Sequence, residues 1–330
     1  MKIYITAFIV LCSGLLNAQS VQSPSNEISA EFRIDNTGNP YYTVSYKGKP
    51  VINESYMGFL LKELPAFNNN FTLISSQTKS VNENWNPVLG EVSVINNHYN
   101  ELTLNLEQKN TGRLLNVIFR VFDEGVAFRY EFPKQEKLNY FIITAENTEF
   151  NLTDNHKAFW MPADYDSQEY AYNETLLSQV NTKSIDLNNG IAHKFIAGVY
   201  AVQTPLLLKS KDNLYISLFE AAVVNYPVMH LDVDIKTNEL KSKLVPNALG
   251  DMAYLQTPAV TPWRTIMVSD DARDIVAQKM ILNLNEPSKI DDTSWIKPMK
   301  YVGVWWEMHV GISAWDRSGT RDASQQNNMA

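Results

Sequence analysis

Residues 113–133 read RLLNVIFRVFDEGVAFRYEFP. Two apolar runs flank DEG at 123–125, a turn signal that folds the chain back and pairs the runs as a hairpin. The same grammar recurs on both sides. Ile28, Ala30, Phe32 and Ile34 alternate with polar residues, NTGNP turns, Tyr42, Val44 and Tyr46 alternate, and KGK turns again, so this region reads as three strands. Leu102, Leu104 and Leu106 share one face of a later run, and LYISLFEAAV at 214–223 is a compact buried strand. TLLSQV at 175–180 is the one helical candidate, of at most two turns. Period-2 runs from Glu27 to Trp263 predict a mainly β protein with an antiparallel β-sandwich over residues 25–290.

The chain has 330 residues, a net charge of −8 and a pI near 5.2. That balance excludes nucleic acid as a partner, because phosphate neutralisation needs clustered Lys and Arg. MKIYITAFIVLCSGLLNAQS carries one charge at Lys2, an apolar run from Ile3 to Leu16 and a small residue at Ala18, so residues 1–18 read as a secretory signal peptide. The run is too short and wrongly flanked for a transmembrane segment. Cys12 follows IVL rather than a small residue, so it reads as a bystander. Without it the mature chain has no disulfide and no thiolate chemistry. The sequons at Asn53, Asn70, Asn151 and Asn173 are read as chance in an Asn-rich chain.

Near Thr265 the character changes. SDDARDIVAQKMILNLNEPS, residues 269–288, predicts a helix capped by Ser269 or Asp270. A polar, Pro-bounded linker follows, placing a boundary near residue 290. Beyond it, Tyr301 to Val304 reads as an apolar strand that delivers Trp305, Trp306, Glu307 and His309 at its C-terminal end. Barrel enzymes place their sites at such strand ends. Tryptophan faces stack on sugar rings while Glu and His bond hydroxyls, which makes Trp306, Glu307 and His309 candidate substrate contacts.

The second unusual stretch is FWMPADYDSQEYAYNETLLSQV at 159–180. Carboxylates on an irregular segment are candidate calcium ligands, since calcium takes six to eight oxygens. The stretch lacks the glycine and spacing of an EF-hand, and a solvated acidic loop stays open as the other reading. Glu220, ending an apolar strand, reads as a sheet-edge or supporting residue. The five histidines at 98, 156, 193, 230 and 309 are scattered and read as structural. No nucleophile elbow, zinc helix, P-loop or dinucleotide fingerprint occurs.

Four motifs in order, DEGVAFRYEF (123–132), ADYDSQEYAYNETLLSQV (163–180), LYISLFEAAVVNYP (214–227) and WIKPMKYVGVWWEMH (295–309), resemble glycoside hydrolase family 97. These are exported α-glucosidases and α-galactosidases. The likeness runs from about Ile28 to His309. It implies an N-terminal β super-sandwich, a central (β/α)₈ barrel, a C-terminal β domain and calcium beside the catalytic carboxylates. By this resemblance Glu169 matches the calcium-binding glutamate of the sandwich, and Trp306 an aromatic contact to the sugar. Residues 291–330 would then be a linker and the first strand of a truncated barrel, since a whole barrel takes about 250 residues.

The family's catalytic acid and its base or nucleophile lie on later strands, so no catalytic residue is expected in this chain. After Trp315 the sequence DRSGTRDASQQNNMA departs from the family pattern. The expectation is the N-terminal fragment of a calcium-dependent α-glycosidase, exported to a Gram-negative periplasm and inactive by itself. Its substrate would be an oligosaccharide or α-glycoside, and nothing specifies an oligomeric state. A free-standing carbohydrate-binding or interaction sandwich is the alternative. In the enzyme reading, Glu169→Gln matters and Asp164→Asn matters much less.

Overall fold

The computed structural model describes residues 18–185, 194–300, 304–312 and 314. The expected signal peptide up to residue 17, His193 and the tail from 315 lie outside the described residues. The chain divides into two compact units, one of residues up to Asn86 with Val92–Glu286, the other of Pro87–Glu91 with residues from Pro287.

The first unit is built outward from the expected hairpin. Arg113–Phe122 and Gly125–Phe132 pair antiparallel, closing at Phe122 opposite Gly125. Gly125 is needed for close approach: a Cβ there would lie 2.4 Å from the Ile266 carbonyl oxygen of the next strand. The hairpin sits inside a ten-stranded antiparallel sheet. Its path runs Asn173–Leu176, Lys157–Trp160, Leu206–Lys209, Tyr215–Ala221, Trp263–Ser269, Gly125–Phe132, Arg113–Phe122, Ile95–Gln108, Phe71–Trp85, with Ala259–Val260 also on Gly125–Phe132.

Three smaller sheets contribute the facing layer. One joins Gln19–Gln22, Ile28–Ile34, Pro40–Tyr46 and Lys49–Tyr56; a second joins Phe59–Leu61, Tyr140–Glu146 and Ala253–Gln256; a third joins Glu149–Asn151, Glu239–Leu244, Met229–Asp234 and Ala201–Val202. Rings cross between layers. Tyr42 lies 4.8 Å from Phe128, Phe59 4.6 Å from Tyr130, Phe141 4.8 Å from Phe132 and Phe150 6.3 Å from Phe128. Each such ring, buried from water, stabilises the fold by about 1.5–3 kcal/mol. Leu102, Leu104 and Leu106 all point into this core, as their alternation predicts. A core this large holds the sandwich without disulfides.

Three local expectations need correction. The helix near 270 is capped by Asp271, whose carboxylate accepts from the Arg273 amide at 2.9 Å, and it breaks into Ala272–Ala277 and Met280–Asn283. TLLSQV forms only a short 3₁₀ turn at Leu177–Gln179. Of the barrel strand expected over 300–306, residues 301–303 lie outside the described residues, and Val304–His309 is α-helical rather than extended. The physical reason is local. A parallel strand needs a neighbour for every ladder bond, whereas a helix closes its own, and Val310 N–H donates to the Trp306 carbonyl at 3.0 Å.

Candidate functional site

The acidic loop after Trp160 is ordered by Asp164. The Asp164 carboxylate is buried and accepts four hydrogen bonds. They come from the backbone amides of Asp166 at 2.8 Å, Ser167 at 3.0 Å and Phe195 at 2.8 Å, and from the Tyr170 hydroxyl at 2.6 Å. Burial alone would raise its pKa, but the donors win and hold the carboxyl below the usual range. The loop is therefore not a uniformly solvated turn. Asp164 is its internal frame.

Glu169 occupies a different place. Its side chain is exposed, while its amide donates to the Ser167 hydroxyl at 3.1 Å. A fixed backbone thus presents this carboxylate outward. Beside the loop runs an open groove of about 960 Å³, lined by Asp166, Gln168, Tyr165, His230, Tyr226 and Tyr254 among others.

His230 holds the loop from below. Its Nε2 lies 3.0 Å from the Asp164 carbonyl oxygen and donates to it, which leaves Nδ1 as the bare ring nitrogen; that atom is buried without a partner among the described residues. Burial lowers the His230 pKa, keeping the ring neutral. Gln203 pins the Ser167 carbonyl at 2.8 Å.

Deeper still lies a cluster that sequence reasoning missed. Arg264, fully buried, donates from Nε and Nη2 to both oxygens of Glu146 at 2.9 and 2.8 Å, and from Nη1 to Glu220 at 2.6 Å. Arg264 and Glu220 are cross-strand partners in the large sheet, whereas Glu146 ends a strand of the facing layer. The guanidinium therefore bridges the two layers. Tyr226 donates to Glu146 at 2.8 Å, and Glu220 accepts from the Met229 amide at 3.1 Å. Tyr226 walls the groove and Met229 precedes His230, so the cluster props the site.

Burial pushes the Glu146 carboxyl up, but the bidentate Arg264 more than offsets this and leaves it below the usual range. At Glu220 burial prevails and the carboxyl is raised. Glu220 is accordingly not at a sheet edge, because its strand lies between two neighbours. One signal was available: an arginine interrupts the apolar run AVTPWRTIMV at 259–268.

The remaining candidates belong to the second unit. Trp305 and Trp306 are 54% and 61% exposed, and His309 stacks on Trp305 with ring centroids 5.0 Å apart. Glu307 lies on the same helix, and its side chain lies outside the described residues. The structure gives Glu169 to the first unit and Trp306, Glu307 and His309 to the second.

Glu169 fits calcium as one hard oxygen ligand, yet among the described residues no group of three or more His, Cys, Asp or Glu is placed to hold a metal ion. A six- to eight-oxygen shell is not completed by them.

Residues 21–287 match the family described as Glycosyl-hydrolase 97 N-terminal. A retaining alpha-galactosidase of Bacteroides thetaiotaomicron is 24% identical over 336 residues, covering 92% of this chain and 47% of that protein. A glycoside hydrolase family 97 enzyme from Pseudoalteromonas sp. strain K8, solved in complex with acarbose, is 36% identical with a TM-score of 0.81, covering 92% of this chain and 43% of that one. A beta-arabinopyranosidase shares the fold at 24% identity and a TM-score of 0.64, over 76% of this chain and 40% of that one. The chain thus spans less than half the length of these three relatives. The two-layered sandwich, the match over residues 21–287 and the 36% identity agree: this chain belongs to glycoside hydrolase family 97, as its N-terminal part.

Proposed function

We propose that this sandwich is the N-terminal domain of an exported, calcium-dependent α-glycosidase that hydrolyses α-glucosides or α-galactosides. The observation that carries the reading is the split within one loop, where Asp164 is consumed internally and Glu169 is held outward on a fixed backbone. Glu169 contributes one calcium ligand, and the others come from the catalytic barrel. Bound calcium supplies a fixed positive charge that steadies negative charge developing on oxygen. The chain's own residues position that ligand: Asp164 gathers the loop amides, His230 holds the Asp164 carbonyl, and Gln203 holds Ser167. Trp306 supplies a stacking face for sugar, with Glu307 and His309 as hydroxyl partners. Retaining relatives support hydrolysis of galactosides, and the acarbose complex of the Pseudoalteromonas enzyme supports glucosides. A secretory leader over 1–18 places the enzyme in the periplasm; among the described residues no helix is long and apolar enough to cross a membrane.

The test uses a full-length enzyme carrying this domain ahead of a complete barrel. Glu169→Gln should weaken the calcium dependence of aryl α-glycoside hydrolysis and lower activity with it, while the sandwich stays folded. Wild-type calcium dependence in that variant would remove Glu169 from the metal. The 330-residue chain itself should show no turnover of aryl α-glucosides or α-galactosides with or without calcium.

A further inference from the structure

The first small sheet turns one face inward and one outward. Ile28, Ala30, Phe32, Tyr42 and Val44 are buried in the core. Their alternates point the other way, because side chains along a strand switch faces at every residue. Register places Ser29 opposite Ser45, Glu31 opposite Thr43 and Arg33 opposite Tyr41. The next strand brings Tyr56 opposite Tyr41, and the two rings lie 5.7 Å apart at 53°. Over Ser29, Glu31, Thr43 and Ser45 runs a groove of about 610 Å³, walled by Asn53 and Glu239. Tyr41, Thr43 and Ser45 alternate along one strand over about 14 Å. That length suits an oligosaccharide better than a single sugar.

We propose that this outward face is a glycan-binding surface for neutral oligosaccharides, separate from the Glu169 loop. It shares no lining residue with the groove beside that loop. The chemistry is what neutral sugar requires. Beyond the groove, on the same face, the Tyr41 and Tyr56 rings offer apolar faces for the C–H side of a pyranose, and hydroxyl, amide and carboxylate groups along the groove's floor and walls pair with sugar hydroxyls. The charge selects among glycans. Glu31, Glu54 and Glu239 line the groove and no Lys or Arg is among its lining residues, while Arg33 Nε donates to Glu31 at 2.6 Å. The surface is therefore net acidic and repels uronate or sulfated chains. Its volume falls in the range of about 300–1,000 Å³ typical of small-molecule clefts. An anchor of this kind holds a long chain while its end is processed elsewhere, and it raises the local substrate concentration.

Isothermal titration of the 330-residue chain tests this with maltoheptaose, raffinose-type galactosides and xylo-oligosaccharides as neutral probes. Oligogalacturonate is the anionic probe and chitosan oligomers are the cationic one. Binding of at least one neutral probe, and none of the anionic one, is expected. Tyr56→Ala should weaken it at least tenfold, Tyr56→Phe should retain it, and Tyr254→Ala and Glu169→Gln should leave it unchanged. Circular dichroism confirms folding, and Glu239→Gln provides a second reading on the wall. No binding of any neutral probe would overturn the assignment. So would binding of chitosan alone, or binding lost in Tyr254→Ala but kept in Tyr56→Ala. The Glu169→Gln arm separates this surface from the proposed calcium function, which stands or falls without it.

Discussion

The loop around Asp164 and the helix Val304–His309 are the two segments densest in polar and aromatic residues, yet they are organised differently. In the loop, one buried carboxylate binds three amides and a hydroxyl, and a histidine, a glutamine and an ion cluster stand behind it. The helix carries its rings outward and stacks them on each other: Trp305 against His309 and, edge-on, Trp306 against Trp305. The difference teaches where precision originates. A carboxylate can be exposed and still exactingly placed when the backbone beneath it is tied to a core; the rings of the helix stack on their own helical neighbours. Four experiments can break or sharpen this comparison.

The largest effect should come from the deepest support. Arg264→Met leaves Glu146 and Glu220 buried without their cation, and removing one partner of a buried ion pair costs about 3–5 kcal/mol. Urea unfolding should show that loss, or the variant should fail to accumulate as folded protein. Glu220→Gln should cost less, because burial already raises the Glu220 carboxyl and disfavours its charged form. Equal stability of Arg264→Met and wild type would mean that the bridge between layers is ornamental.

The next effect is at the frame itself. Asp164→Asn replaces one accepting oxygen with an amide that faces donors, so at least one buried donor loses its partner at about 1–3 kcal/mol. Limited proteolysis at the loop should accelerate in parallel. A variant as stable and as protected as wild type would show that the loop is held by its neighbours.

How much of this was legible beforehand differs by level. The hairpin at 113–132 and the strands at 28–34 and 40–46 were readable because period 2 and turn chemistry are local properties. The match of four motifs also pointed to the family before any contact was seen. The ion bridge was not readable, because Arg264, Glu146 and Glu220 are far apart in sequence and meet only through sheet register. Asp164 and Glu169 look alike as acids on one loop; only the closure of Phe195 and Tyr170 onto Asp164 separates them. The helix at Val304–His309 was not legible, because an apolar run followed by aromatics suits either period, and tertiary partners decide between them.

A third, smaller effect is pH dependence. Burial depresses the folded pKa values of His156 and His230 below that of a free imidazole. The unfolded chain therefore binds more protons, so their stabilisation is present above about pH 6.5 and is lost as pH falls below it. Each contributes no more than about 1.4 kcal/mol per pH unit. Glu146 and Asp164, also depressed, add a second loss below about pH 4. Melting temperature should hence decline from pH 7 to 5 and then more steeply. His230→Gln, which can still donate to the Asp164 carbonyl, should flatten the upper part; an unchanged slope would show that His230 is not titrating there.

The smallest effect is expected at Glu169, and its smallness is informative. Exposed surface substitutions usually stay within about 0.5 kcal/mol. Glu169→Gln keeps the length and the backbone contact to Ser167, so the melting temperature of this chain should not move. Calcium should add little to either form. A site with a single carboxylate falls in the weak range, with a Kd of about a millimolar or above. Stabilisation follows RT ln(1 + [L]/Kd), about 0.4 kcal/mol even when calcium equals Kd. Melting curves of wild type and Glu169→Gln should therefore superimpose with and without about 1 mM calcium. A marked calcium-dependent rise in wild type alone would mean that this domain completes the ion's shell by itself, and the division between a buried frame and an outward carboxylate would have to be redrawn.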